Sequence, residues 1–521
     1  MRRLLVWLSV GAASTVFAQS AAPCPAVTWT DGGGGCATGE SSDAAPLAIE
    51  PFAPEIGPGL EQFEAPSSAP SVQVSGSVQG MAAVDTVWES PRRAELAENV
   101  WDGQLRARLG IDVKVNKSVR LFLEGKAWVR AGSQRDFDRT KAFFEPNLGE
   151  AFVDVYTDRV DLRVGNQRIP MGANAALAPA DALNPKDFRV GLAAQDPDDA
   201  VVPVFAIRAR GELGKVSWLA AYAPFFTPSR FVLFGQDEGL LQPALAPALP
   251  TRRIDPTVED LIQERLLETR RPPAFLGDLA LRVVTTGRLK LGASWAWINE
   301  KLPQVTLDGE LQSLLSSQSS GRTVDPAVAV SVQNRLAANE TLFRGEYLRQ
   351  HIFSAEGSML LGPGQLDVDV SYSPRQTFFD AQFAPVNKSA VTWVVGYSTA
   401  AESKWVWAVS YLGMAVPNVG AQEQVLLLEP ATAVGVDRTA WFHLFLANVG
   451  YTLWKDRLVI ALSAGFEPVQ RSFSLAPRVT FQGLEKVKIW AGAEFFEGSP
   501  YSPLGYFGRN DQVVVGARYD L

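Results

Sequence analysis

The feature that most constrains this chain is a long run of alternating residues with one short break. Leu105, Ala107, Leu109, Ile111, Val113 and Val115 alternate with Arg106, Arg108, Gly110, Asp112 and Lys114. After Asn116, Lys117 and Ser118 the pattern resumes. Val119, Leu121, Leu123, Gly125, Ala127 and Val129 alternate with Arg120, Phe122, Glu124, Lys126, Trp128 and Arg130. Period-two alternation puts apolar side chains on one face of a strand and mostly charged ones on the other. A soluble sandwich usually has shorter strands and turns its charged face to the outside. Strands of about ten residues, repeated many times with one polar face, suit a barrel with lipid outside and water inside.

The N-terminus bears on where such a barrel would sit. Met1, Arg2 and Arg3 are followed by the apolar stretch Leu4 to Val10, and Val16-Phe17-Ala18 precedes Gln19. This predicts a signal peptide over 1–18, cleaved after Ala18. Beyond it no run of eighteen apolar residues occurs, so spanning by helices is not expected. Export without a spanning helix, combined with apolar strand faces, predicts the Gram-negative outer membrane. The implied partners are outer-membrane lipid and the barrel-insertion machinery, with periplasmic export or motility components as further candidates. Nucleic acid is not among them.

Residues 19–70 differ from the rest. They are rich in Ala, Pro, Gly and Ser, lack Lys and Arg, and carry Asp31, Glu40, Asp43, Glu50, Glu55, Glu61 and Glu64. Such a composition buries too little apolar surface to offset chain entropy, which predicts a disordered acidic periplasmic tail. It holds much of the net charge of −8. Cys24 and Cys36, the only cysteines, are expected to close a disulfide loop around Gly32 to Gly35, with two free thiols as the alternative. Two thiols without a nearby histidine do not predict a metal site.

The remainder, 71–521, is read as the barrel: all-β, antiparallel, with about eighteen strands. The candidate strands are 72–82, 101–115, 118–131, 149–157, 160–169, 202–212, 215–224, 277–285 and 288–298. The second half gives 344–360, 365–375, 389–398, 403–413, 438–454, 456–468, 473–481, 485–496 and 511–521. Connections alternate in length, with short turns such as Asp158-Arg159 and Thr286-Gly287 between long segments such as 170–201, 225–276 and 299–343. Only 469–472 breaks the alternation. Short periplasmic turns and long extracellular loops follow, with both termini periplasmic. Val513, Val515, Ala517, Tyr519 and Leu521 repeat the alternation at the C-terminus, and Trp and Tyr near strand ends suit interfacial girdles.

The stretch Leu162-Arg163-Val164-Gly165-Asn166-Gln167-Arg168, then Met171-Gly172 and Asn184-Pro185-Lys186-Asp187, resembles a motif of a large Gram-negative outer-membrane barrel family. That family, still described by an unknown-function domain, is similar to alginate-export and substrate-selective porins. Asn166 stands where the family has a basic residue and Met171 where it has tryptophan. The resemblance implies a channel, often with a loop folded into the lumen, and implies no particular substrate.

Placing apolar positions against lipid turns Arg106, Arg108, Lys114, Arg120, Lys126, Arg130, Arg163, Arg208, Arg210, Arg282, Arg478, Lys486 and Lys488 inward. These outnumber the inward acids Asp112, Glu124, Glu150, Asp154, Asp161, Asp367, Asp369 and Glu494, which predicts an anion preference. The connection 170–201 contains Pro170, Pro179, Pro185 and Pro197 together with Leu177, Leu183 and Leu192. Fixed backbone and apolar side chains predict an inward fold, with a filter at Arg168, Asp181, Lys186, Asp187 and Arg189.

No catalytic constellation stands out. His351 and His443 lie beside no nucleophile motif and read as rim or girdle imidazoles, and Asp367 with Asp369 reads as lumen wall. Asp196-Pro197-Asp198-Asp199 lacks the Gly and distal Glu of an EF-hand loop. The stretch Val258 to Thr269 has a helical period and reads as a loop cap. The expectation is a channel without cofactor, metal or enzymatic activity, passing polar solutes, anions among them, or polysaccharide. The alternative is a non-conducting barrel that anchors or assembles a surface machine.

Overall fold

The computed structural model describes residues 27–28, 70–86, 99–134, 139–173, 177–188, 200–230, 272–319, 325–338, 340–379, 385–399, 404–421, 435–499, 502–507 and 511–521, with a few single positions between them. Eighteen strands close into one antiparallel barrel. The first nine are β1 (Ser71–Asp85), β2 (Asn99–Asn116), β3 (Val119–Gln134), β4 (Arg139–Tyr156), β5 (Val160–Gln167), β6 (Val204–Leu213), β7 (Val216–Ala223), β8 (Asp278–Thr285) and β9 (Leu289–Asn299). The others are β10 (Arg349–Leu361), β11 (Gly364–Phe379), β12 (Pro385–Thr399), β13 (Trp405–Val419), β14 (Arg438–Leu453), β15 (Leu458–Glu467), β16 (Ser472–Leu484), β17 (Val487–Glu497) and β18 (Gln512–Asp520). The seam is β18 against β1, running from Ser77 opposite Asp520 to Asp85 opposite Gln512. Val27 and Thr28 pair with Val74 and Gln73 beside this seam. The cysteines Cys24 and Cys36 and the segment Val258 to Thr269 lie outside the described residues.

Alternation sets the two faces. Leu105, Leu109, Leu123, Leu291 and Val515 point outward and stay about half exposed, which a water-soluble surface would not tolerate as a continuous belt. Aromatic rings collect near strand ends: Trp405 lies 4.5 Å from Tyr451 on the short-turn side. His351 stacks between Trp295, Trp297 and Phe353 on the outer face, and His443 beside Trp441 and Tyr411. Both histidines therefore sit in the aromatic belt, away from the lumen.

Two features depart from the pattern read in the sequence. β4 begins ten residues earlier than 149, because Phe144, Pro146 and Leu148 continue outward while Glu145 and Asn147 continue inward. Pro146 interrupts the backbone donors without ending the strand. The connection 299–343 is also not plain loop. It carries a hairpin, Gln304–Leu307 against Phe343–Glu346, enclosing α1 (Gly309–Ser319) and α2 (Pro326–Ala337). Asp325 caps α2 by accepting from the Ala327 amide, and Pro326 fits the first turn, where no backbone donor is needed.

The interior is not uniformly polar. On the extracellular half, one apolar cluster joins Ile169, Met171, Ala180 and Leu183 to inward side chains Val204, Ala206, Leu219, Ala221, Ala280 and Ile298 of the wall. A second joins Val394, Leu412, Met414, Phe442 and Leu444 to Leu504 and Phe507 from the last long connection. Apolar residues facing inward need cover from water, and inward-folded connections supply it.

Candidate functional site

The site is the lumen, and its wall is best followed from β2 onward. Arg106 donates to the Gln104 amide oxygen at 2.7 Å and lies 5.4 Å from the Trp128 ring centre. Arg108 and Lys126 flank Glu124 at 3.6 and 3.4 Å. Toward the short turns, Arg120 forms a two-pronged pair with Asp112 at 2.9 and 2.8 Å. Arg163 does the same with Asp154, and its guanidinium stacks 3.7 Å from the Phe152 ring centre. Phe122 and Phe152 stack at 5.2 Å between the two guanidinia. Planar guanidinium suits both carboxylate and aromatic partners, which makes this a stiff buttress.

Farther round, Arg130 pairs with Asp102 at 2.6 Å, Arg210 with Asp161 at 3.1 Å and Arg282 with Glu356 at 2.7 Å. Lys114 sits on β2 opposite Arg120, and Arg208 on β6 opposite Arg163. Arg478 and Lys488 share the inward register of β16 and β17. Lys486 departs from the expectation. It lies in the turn between β16 and β17 with φ of 62°, exposed at the periplasmic end rather than on the wall. Strand alternation lapses wherever the chain reverses direction.

The inward charge balance also changes. Asp102, Glu145, Asp278, Glu356 and Asp520 face inward too, as do Lys290, Arg230 and Arg518, so the basic excess counted from the sequence shrinks. Each of these acids lies on a strand whose polar face could have been read to its end. Cations and carboxylates are interleaved along the wall, with Glu124 between Arg108 and Lys126 and Asp520 beside Arg518. A recess beside β1 to β4 is lined by Arg106, Arg108, Lys126, Arg230 and Arg518, with Asp187 the one acid of its lining. Glu356, Asp367 and Asp369 lie on β10 and β11. Arg518 was visible in the terminal alternation. Arg230, from a long connection, had no signal in the sequence.

The connection after β5 folds into this lumen. Arg168 pairs with Glu150 at 3.0 Å at its start. The Asn184 side chain accepts from the Ile169 amide at 3.0 Å and donates to the Ile169 carbonyl at 2.8 Å, closing a compact loop. Asp181 accepts from Asn184 at 2.7 Å and from Lys186 at 2.8 Å. Asp187 is buried 3.7 Å from Arg230, which also meets Glu145 at 3.1 Å. These contacts give the Asn184-Pro185-Lys186-Asp187 stretch a local structural role. Arg189 and Asp196-Pro197-Asp198-Asp199 lie outside the described residues. Of the five filter positions, Asp181 and Lys186 meet directly, Asp187 joins the recess, and Arg168 stays at the wall.

Asp367 and Asp369 do not form an acid–base pair. Asp367 accepts from Gln365 at 2.8 Å, and Asp369 accepts from the Ala173 amide at 2.9 Å. Among the described residues, no group of three or more His, Cys, Asp and Glu is placed to hold a metal ion.

No family model and no curated protein matches the sequence. Among solved structures, the chain is similar to OccAB1 of Acinetobacter baumannii, with 10% identity, 88% of this chain and 98% of that one covered, and a TM-score of 0.45. It is similar to OccK5 (OpdH) of Pseudomonas aeruginosa at 9% identity, with 86% and 98% covered and a TM-score of 0.43. It is also similar to OmpF of Salmonella typhi in complex with daunomycin, at 10% identity, with 87% and 98% covered and a TM-score of 0.41. The closed eighteen-strand circuit, the apolar outer belt and the charged interior make this chain a transmembrane antiparallel β-barrel.

Proposed function

We propose that the protein is a passive outer-membrane channel for small polar solutes, with a preference for anions. The cluster beside β1 to β4 carries this reading, because Arg106, Arg108, Lys126, Arg230 and Arg518 border one recess, against Asp187 in its lining and Glu124, Glu145 and Asp520 as their pairing acids. Low-dielectric walls focus such a field and raise the local anion concentration. The loop packed inside the barrel takes up part of the lumen, which favours small solutes over a polysaccharide chain. The test is the reversal potential in a planar bilayer under a salt gradient. Anion preference that falls in Arg106→Gln with Arg518→Gln is the expected result. Cation preference unmoved by both changes would sink the anion reading.

One observation favours a second reading, a largely closed barrel that anchors or assembles a surface machine. The apolar cluster around Leu412, Phe442 and Leu444 fills the lumen side of β12 to β14, where a wide pore would be wet. Absence of any single-channel current from a correctly inserted barrel would move the assignment to that class.

A further inference from the structure

One peptide group of the inward loop is gripped at both ends by the barrel wall. The carbonyl of Gly172 accepts from Nη2 of Arg282 on β8 at 2.9 Å. The amide of the next residue, Ala173, donates to Oδ1 of Asp369 on β11 at 2.9 Å. These are the oxygen and the N–H of the same planar unit. Arg282 is itself fixed by Glu356, through Nε to Oε1 at 2.7 Å and Nη2 to Oε2 at 2.9 Å.

Gly172 has the backbone this requires. Its φ is +99°, where side chains are strained, and a Cβ there would lie 2.5 Å from Ala178 Cβ and 3.1 Å from Asp369 Oδ1. The loop leaves the wall at β5 and meets Asp369 six strands farther round. Ile169, Met171, Ala180 and Leu183 pack on the near apolar wall, and Leu177 reaches the far cluster. The apolar contacts are non-directional and could accommodate a sliding loop. The two charged groups on the Gly172–Ala173 peptide fix its place.

We propose that Asp369 and the Arg282–Glu356 pair are positioning residues that clamp the loop across the lumen and thereby set the aperture. The aperture part of this proposal rests on the channel reading, whereas the clamp itself does not. Four full-length proteins are compared, namely wild type, Asp369→Ala, Asp369→Asn and Gly172→Ala, each first shown to be folded by heat-modifiable gel mobility. Amide exchange at Ala173 and single-channel current in planar bilayers are then measured.

Asp369→Ala and Gly172→Ala should speed exchange at Ala173 by about tenfold or more, as expected for loss of a hydrogen bond to a charged group. Both should enlarge the open-channel current. Asp369→Asn keeps an acceptor oxygen but loses the charge, and should fall between wild type and Asp369→Ala in both readings. Wild-type exchange in Asp369→Ala and Gly172→Ala overturns the clamp. Faster exchange with unchanged current overturns its role in the aperture. An asparagine variant that behaves like the alanine variant shows that the carboxylate charge holds the peptide, which supports the clamp by charged groups. If the wild-type barrel passes no current, the channel reading fails while the exchange data still decide the clamp.

Discussion

Lys301 and Asp278 form an ion pair at the extracellular rim, and both side chains are almost wholly buried. Asp278 also accepts from the Asn299 amide at 2.8 Å and from its side chain at 2.9 Å. The Lys301 carbonyl receives the Ser229 amide at 2.9 Å, which joins the connection after β7 to the one after β9. Burial pulls the Lys301 ammonium below its usual range while Asp278 pulls it back up. The pair survives because each partner supplies the charge that the other lacks in a dry site.

Lys301→Met should therefore strand the Asp278 carboxylate and destabilise the barrel by about 3–5 kcal/mol. Chemical unfolding of the detergent-solubilised protein measures this. The double variant Lys301→Met with Asp278→Asn should recover much of the loss, since it removes both charges together. Equal losses in the single and double variants would show that the pair contributes only through packing.

Glu300, next in the chain to this pair, should make the rim pH-sensitive. It accepts from the Thr377 hydroxyl at 3.1 Å, and burial pushes its carboxyl up to about 7. Hydrogen bonds from Thr377 and the charge of Arg375 oppose that rise. A raised carboxyl contributes stability that is complete below its unfolded value and lost as pH rises through about 7. Protection of the Thr377 amide, relative to its intrinsic exchange rate at each pH, should thus be greater at pH 5 than at pH 8. Glu300→Gln should flatten the difference, and an unchanged slope in that variant would assign it to another group.

The helical excursion should respond in the opposite direction. Arg335 meets Asp308 at 3.0 Å, Glu310 at 3.1 Å and Glu340 at 2.7 Å, gathering both ends of the α1–α2 hairpin. The hydrogen bond from Arg335 holds the Asp308 carboxyl below its ordinary range. Stability from such a group is present above the ordinary carboxylate value and lost as pH falls through the lowered one. Exchange across 309–337 should accelerate in strong acid, and Arg335→Ala should give fast exchange already at neutral pH. Solvent screening keeps the effect local.

Gly165 should be intolerant of any side chain. Its φ is +138°, and a Cβ would lie 2.2 Å from the Ala151 carbonyl oxygen across the β4–β5 pair. Gly165→Ala should lower the yield of folded, heat-modifiable barrel, whereas Gly80→Ala, where no atom lies within 4 Å, should fold normally. Normal folding of both would mean that the strands can part without cost.

The barrel was legible because its signal is the least ambiguous one a strand offers. A side chain on the wrong face of β2 or β3 would put Arg106 or Arg120 into lipid, so the alternation must hold without exceptions. The inward loop was legible for a related reason, since Leu177 and Leu183 had no use on an exposed surface. What could not be read were the pairings. Nothing in the spacing of Arg282, Glu356 and Asp369 announces that they converge on Gly172 and Ala173, because convergence depends on strand order and shear. Lys486 misled because a turn residue borrows the parity of the strand beside it. The α1–α2 hairpin escaped notice because its apolar face is narrow, with Val332 and Leu336 the buried side chains of α2.

The seam of β18 against β1 bears on how the protein comes into being. Residues 512–520 join residues 77–85, so the two ends of the folding unit meet only when all that lies between is already present. Until then two strands carry unsatisfied amides and carbonyls that lipid cannot solvate. The circuit cannot close until β18 is available to pair with β1. Such distant pairing is intrinsically slow. The chain therefore faces a period of exposed edges, and loss of β18 would leave it there permanently.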